Sequence, residues 1–276
     1  MNQKRIPQII KELKESCEPA MNFYKSISLS KKVTDHDIRE IVLERGSADF
    51  DNPKSSWDSR EKKMFKVEAY IFLYLRMHYD HNYAVFRKCC FLDAENICLF
   101  DFGCGPMTAG LALLSRRSKT YAGREVLYYG VDASRNMREK CRIMNEKYGL
   151  FEESNLFATF KDAVRHRREY IEKDSACVTV VNFSFVLSQE TLQGGGKTVD
   201  DIYEQITELL ILDSSNTCHS IYVIYQNPAE DRFHRNWEIL EQKLSQSFGF
   251  RDREEEAVYY GRENPVHYVS ARLVSK

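Results

Sequence analysis

Two hydrophobic rhythms divide the chain. Up to residue 93 the apolar positions recur at helical spacing. Pro7 opens a segment with Ile9, Ile10, Leu13 and Cys17 along one face. Thr34 or Asp35 caps a second segment through Ile38, Ile41 and Val42, which stops at Gly46. The turn-rich residues 47–56 interrupt the pattern. A long segment from Trp57 to Phe91 then carries Met64, Phe65, Tyr70, Phe72, Leu73, Leu75 and Met77 with no strand-like alternation. From residue 94 onward, short β-rich runs alternate with helical stretches. The runs are Ile97–Phe100, Val126–Val131, Leu156–Phe160, Val178–Phe183 and Ile221–Tyr225. Helices are expected over 108–116, 134–147, 163–172, 198–212 and 229–247. Two last runs, Ala257–Tyr260 and Val266–Val274, joined through Gly261–Pro265, read as an antiparallel hairpin. The expectation is a helical cap over 1–93 and a domain over 94–276. That domain is α/β, with a doubly wound, mostly parallel sheet.

Composition narrows the class. The 276 residues are 43% hydrophobic and 29% charged, enough for a sizeable core. No apolar run reaches the roughly 18 residues of a membrane span. The opening MNQKRIPQIIKELKE is too charged for a secretory signal. The eight cysteines are scattered without paired metal spacing, so no resident metal is expected. Cys98 and Cys104 stand where a disulfide would distort a strand and its turn; reduced thiols in a cytoplasmic setting are the expectation. A net charge of −1 argues against a protein that coats nucleic acid through a broad basic face. Arg165–Arg168 is the candidate local patch, against the plainer reading of a solvated helix face shared with Glu169 and Glu172.

The chemistry concentrates in residues 97–110, where an apolar run ends in Asp101, turns through Gly103 and Gly105, and enters a helix. Such a turn brings backbone close to a ligand. The dinucleotide fingerprint would need its third glycine at position 108, which is Thr108, and Asp101 suits a cationic group better than a pyrophosphate. The pattern D-x-G-x-G-P-x-T resembles motif I of the class I S-adenosylmethionine-dependent methyltransferases. That resemblance covers 94–276 and implies a seven-stranded sheet of order 3-2-1-4-5-7-6 with the last strand antiparallel, and S-adenosyl-L-methionine as cofactor. It further implies that Gly103, Cys104 and Gly105 lie against the methionine part of the cofactor while Asp101 helps hold its amino group. Many members carry a further glycine where this chain has Met107.

The other family positions follow in chain order. Asp132 ends the second run, where the family places the acid that accepts from the ribose hydroxyls; helix capping is its structural alternative. Ala133 and Met137 belong to a D-x-S-x-x-M-like stretch beside the adenine, although a lone helical Met is also an ordinary core residue. Asp162 and Ala163 follow the third run, an acid for the adenine amino group and an amide for its ring, with capping by Asp162 equally open. Asn182 and Phe183 end the fourth run. Asn182 and Phe185 match the ends of the (Asp/Asn)-Pro-Pro-(Tyr/Phe) motif of amino-group methyltransferases, but both prolines are missing and that assignment is rejected. A looser likeness to the mitochondrial ribosomal small-subunit methyltransferase-like family rests on DFGCGP-x-T-A, a Tyr-rich preceding helix and S-F-V-L. In the family such a helix covers the cofactor; here it holds Tyr70, Tyr74, Arg76, Tyr79 and Tyr83, with Arg76 a candidate for the cofactor carboxylate.

The remaining strings are weaker. Gly194–Thr198 imitates the end of a P-loop but is better read as a loop leading into a helix. His78 and His81 lack a third ligand and read as helix-end surface residues. Vicinal Cys89 and Cys90 offer a redox-active pair, against the default reading of burial in the last N-terminal helix. Pro228 is expected to start the fifth helix, with Gln226 and Asn227 available to a polar acceptor and helix capping the alternative for Asn227. Tyr225 and His234 are the candidate bases. The functional expectation is methyl transfer to an unidentified acceptor, a small molecule favoured over RNA. A catalytically silent cofactor-binding module is the alternative. An aminopropyl transferase would show an acid where this chain has Asn182.

Overall fold

The computed structural model describes residues 5–27, 34–43, 50–51, 60–117, 126–151, 154–170, 177–187, 198–214, 221–259 and 265–276. Four helices come first: α1 (Arg5–Ser16), α2 (Glu18–Ile27), α3 (Asp35–Leu43) and α4 (Arg60–Phe86). Strands and helices then alternate: β1 (Asn96–Phe102), α5 (Thr108–Arg117), β2 (Val126–Val131), α6 (Arg135–Tyr148), β3 (Ser154–Phe157), α7 (Phe160–Tyr170), β4 (Cys177–Ser184), α8 (Thr198–Ser214) and β5 (Ile221–Pro228). The chain ends with α9 (Arg235–Ser247), β6 (Phe248–Val258) and β7 (Val266–Ser275). The seven strands lie in the order β3-β2-β1-β4-β5-β7-β6. The first five are parallel, and β7 runs antiparallel to both β5 and β6. This is the doubly wound sheet expected from the alternating runs.

Period-two alternation sends successive side chains to opposite faces. Leu99, Val180 and Ile224 join one buried cluster with Ile6, Ile10, Ile71 and Leu75 of the N-terminal helices and Leu113 of α5. Phe100, Val181 and Tyr225 join the other, with Val164, Ile206 and Leu240 of α7, α8 and α9. The helical cap and one face of the sheet thus bury their apolar surface against each other.

Four elements depart from the sequence reading. Helix α2 was not separated from α1 in the apolar pattern; backbone bonds from Cys17 to Lys14 and from Ala20 to Cys17 mark the break. Phe160 opens α7 rather than ending β3, because Thr159 accepts from the Asp162 amide (3.1 Å) and caps the helix. Pro228 does not start a helix. It is the last residue of β5, opposite Val266, and α9 begins only at Arg235 after a short 3₁₀ turn at Asp231–Phe233. Strand β6 starts nine residues before Ala257. It is an edge strand whose charged stretch is solvated, so it lacks the apolar alternation that reveals half-buried strands. Gly46, Trp57, Gly194–Lys197 and Gly261–Asn264 lie outside the described residues.

Candidate cofactor and acceptor site

The carboxyl edge of β1, β2 and β4 is the topological switch point, where strand order reverses and open α/β sheets hold their ligands. Register brings the site residues level there: Asp101 stands opposite Gly130 on one side and Asn182 on the other. After β1 the backbone alternates through left-handed conformations, with φ +66° at Gly103, +46° at Gly105 and +57° at Met107. Met107 therefore stands in a left-handed conformation that glycine adopts freely, at a cost of about 1–2 kcal/mol for a side chain. Its thioether is fully buried, which offsets that cost. Gly103 is required for a second reason. A Cβ there would stand 2.0 Å from Val186 Cγ1, so this chain's own β4–α8 loop fills the space beside the turn.

The turn amides are spent inside the fold. Gly103 and Cys104 N–H both donate to the Val131 carbonyl (2.7 and 3.0 Å), and Gly105 N–H donates to Asp132 Oδ2 (3.2 Å). No anion-binding nest is left at these three positions, unlike the turn of a dinucleotide site, whose amides face a pyrophosphate.

Two carboxylates replace that nest. Asp101 is buried; Tyr128 Oη donates to its Oδ2 and Asn182 Nδ2 to its Oδ1, each at 2.9 Å. Burial raises its pKa from the ordinary 3.8 to about 7, against the lowering effect of those two donors. Asp132 accepts from the Ser134 amide (2.9 Å) as well as from Gly105, and burial raises it to about 6. Each acid uses two acceptor positions and a carboxylate offers about four, so both retain capacity for a ligand. The Arg138 guanidinium, whose charge acts on Asp132, donates to the main-chain carbonyls of Asp132 and Ala133.

The capping role set against Asp132 in the sequence belongs mainly to other residues. Ser134 caps α6 by accepting from Met137 N (3.1 Å). Asp51, from the N-terminal part, accepts from Ser134 Oγ and from the amides of Arg135 and Asn136 at 2.7–3.1 Å. Phe50 beside it packs edge-on against Tyr70 of α4, and Tyr70 lies over Gly105. This strap was invisible in the sequence, because Asp51 sits in a turn-rich break with no periodic neighbour.

The other predicted positions scatter in role. Ala133 is exposed and Met137 is fully buried. The Asp162 carboxylate accepts from the Thr159 hydroxyl (2.7 Å) and pairs with Arg165, while the Ala163 amide donates to Thr159 O. The Phe183 ring is buried against Phe102 on the α7–α8 face. Cys104 and Cys141 are buried neighbours, and Cys141 Sγ donates to Gly105 O (2.8 Å). On α4, Arg76 pairs with Asp80 at 2.6 Å and Tyr79 donates to Ser115, so both serve the helix packing.

Three expectations are corrected. His78 and His81 are buried rather than surface residues, because α4 is packed along its length between cap and sheet. Asn227 does not cap a helix; its amide donates to Tyr225 Oη (3.0 Å) and Phe233 O. Cys90 is exposed beside buried Cys89, so the pair does not share one environment. Tyr225 and His234 do meet, with Oη 2.8 Å from Nδ1. In the basic cluster, Arg165 pairs with Asp162, Arg168 with Glu208, and Arg167 is buried. Among the described residues no group of three metal-type ligands occurs, and no helix is long and apolar enough to cross a membrane.

No family model and no curated protein matches this chain. Solved structures do align with it. A putative class I S-adenosylmethionine-dependent methyltransferase from Listeria monocytogenes has 9% identity over 99% of this chain and 88% of its own, with a TM-score of 0.45. The O-methyltransferase of tomaymycin synthesis from Streptomyces achromogenes, solved with its cofactor, has 11% identity over 92% and 95%, with a TM-score of 0.43. A putative RNA methyltransferase from Pyrococcus horikoshii has 13% identity over 86% and 96%, with a TM-score of 0.38. All three scores lie below 0.5, so the functional reading rests on the site's own residues.

Proposed function

We propose that this chain is a class I S-adenosylmethionine-dependent methyltransferase. The carrying observation is the inversion of charge logic at the glycine turn. Amides that would serve a phosphate are consumed, and two carboxylates, buried Asp101 and half-buried Asp132, stand at the carboxyl ends of β1 and β2. Such a site favours a ligand that brings a positive charge and hydroxyl donors over one that brings phosphate. The residues fit the cofactor: Asp132 for the ribose hydroxyls, the turn at Gly103–Gly105 for the methionine part, and Asp101 for the ammonium beyond it. When bound, the cofactor supplies a sulfonium methyl with an excellent leaving group. The chain's own task is then to hold donor and acceptor in line and exclude water, and such positioning supplies effective molarities on the order of 10⁵ M or more.

The test incubates the protein with methyl-labelled S-adenosylmethionine and fractionated small molecules, RNA and protein. Label is expected in a small-molecule fraction with wild type and not with Asp101→Ala. Label in RNA would correct the acceptor class. Binding of the cofactor without transfer to any fraction would favour the silent module.

A further inference from the structure

At the carboxyl edge of β4 and β5, beneath α4, five polar side chains form one connected network. Asn182 Nδ2 donates to Asp101 and to Ser184 Oγ (2.8 Å). Gln226 Nε2 donates to Ser184 Oγ and to Asn82 Oδ1, both at 2.6 Å. Asn82 Nδ2 donates to the His78 carbonyl (2.8 Å). Asn82, Asn182 and Gln226 are fully buried.

The network has one open end. Gln226 Nε2 has two acceptors, which fixes the amide orientation; turned over, Gln226 Oε1 would face the lone pairs of Asn82 Oδ1. Oε1 is thereby left as a buried acceptor without a hydrogen-bond partner. Buried polar groups are normally satisfied, and one left open in a native fold calls for an explanation. Two features beside it point to a ligand. Phe185, directly after β4, is held at φ +62° with its amide tied to the Gln226 carbonyl, a left-handed backbone of the kind that clusters at functional sites. Its ring stacks on His78 of α4, with centroids 4.2 Å apart and planes 11° apart.

The side chains that hold the Gln226 amide carry no charge. Asn82, Asn182, Ser184 and Gln226 are neutral, and burial holds His78 neutral by lowering its pKa to about 3. Asp101, at the far end, is linked to Gln226 only through Asn182 and Ser184, and its remaining acceptor capacity is the seat proposed for the cofactor ammonium. We infer that Gln226 Oε1, held by Asn82 and Ser184 beside the His78–Phe185 ring pair, is the subsite for an uncharged planar N–H donor. This subsite is the seat of the methyl acceptor, an assignment that rests on the methyltransferase reading. With the donor bound, transfer there would break the sulfonium carbon–sulfur bond, return its electron pair to sulfur, form the new bond from the acceptor's lone pair, and release the acceptor's proton to water.

Three isosteric probes of different charge test this: benzamide, benzoate and benzamidine. Their binding is read by saturation-transfer NMR with and without saturating S-adenosylhomocysteine. Wild type is expected to bind benzamide at least tenfold more tightly than either charged probe. Gln226→Leu should lose benzamide binding, and Gln226→Glu should reverse the preference toward benzamidine, a gain that a misfolded protein does not show. Equal binding of benzoate, or benzamide binding unchanged in Gln226→Leu, would overturn the subsite. Absence of S-adenosylhomocysteine binding in wild type would instead count against the methyltransferase reading, whatever the probes do.

Discussion

The two halves of the sheet's carboxyl edge solve opposite electrostatic problems. Beside β1 and β2, desolvation raises the pKa of buried Asp101 to about 7 and that of half-buried Asp132 to about 6. Beside β4 and β5, the buried groups are amides, a hydroxyl and an imidazole held neutral. Asn182 is the hinge between them, since one amide bridges Asp101 and Ser184. The contrast matches a reaction whose donor carries the charge and whose acceptor brings none. It also locates the strain: the charged half stores unfavourable ionisation, and the neutral half stores an open acceptor and a left-handed Phe185.

The comparison breaks most readily at Gly103. A methyl group there meets Val186 at 2.0 Å and demands φ +66°, so Gly103→Ala should cost about 3 kcal/mol or more in denaturant unfolding. Val186→Ala on the same background should restore part of that loss. Full stability in the single variant would show that the turn is not packed against the β4 loop.

The next effect is on the charged half. Asp132→Ala removes the acceptor of Gly105 and the seat proposed for two ribose hydroxyls. Two charge-assisted bonds at about 1.5 kcal/mol each predict a loss near 100-fold in S-adenosylhomocysteine affinity by calorimetry. Affinity within threefold of wild type would remove Asp132 from the site.

The pH dependence carries a definite sign. The folded pKa of Asp101 lies above its unfolded value, so the native state holds the extra proton between about pH 4 and 7. Native stability relative to Asp101→Asn should therefore be greatest below pH 4 and fall as pH rises through 7, by at most about 4 kcal/mol. Cation binding runs the other way and strengthens over the same range, as both acids ionise. Thermal melts at pH 4 and 8, with and without S-adenosylhomocysteine, read both trends; parallel curves for the two proteins would contradict the buried-acid assignment. The smallest effect is expected at Met107. Met107→Gly relieves about 1–2 kcal/mol of backbone strain but loses a buried side chain. Stability should drop by only about 1–2 kcal/mol, with ligand affinity undiminished.

Much of the charged half was legible in the sequence because its parts are local. Asp101 and the glycines follow one another in a single strand–turn unit, and Asp132 ends the next strand. Met107 looked like a departure from the glycine pattern, yet the backbone keeps the glycine conformation there. The neutral half was largely illegible. Asn82 lies on a helix about a hundred residues from Ser184, and no periodicity marks a polar residue that faces a sheet edge. Gln226 drew notice only as a polar residue at a strand end, and its open oxygen depends on partners from α4 and β4. Strand β6 was hidden for a different reason, since a solvated edge does not alternate.

The central claim is that the turn at Asp101–Gly105 holds a cationic adenosyl ligand and not a pyrophosphate. Calorimetric titration of the wild-type protein at pH 8 with S-adenosylmethionine, S-adenosylhomocysteine and NADH tests it directly. The account predicts saturable one-to-one heat for the first two and none for the dinucleotide. Tight NADH binding with no heat from either adenosyl ligand would contradict it.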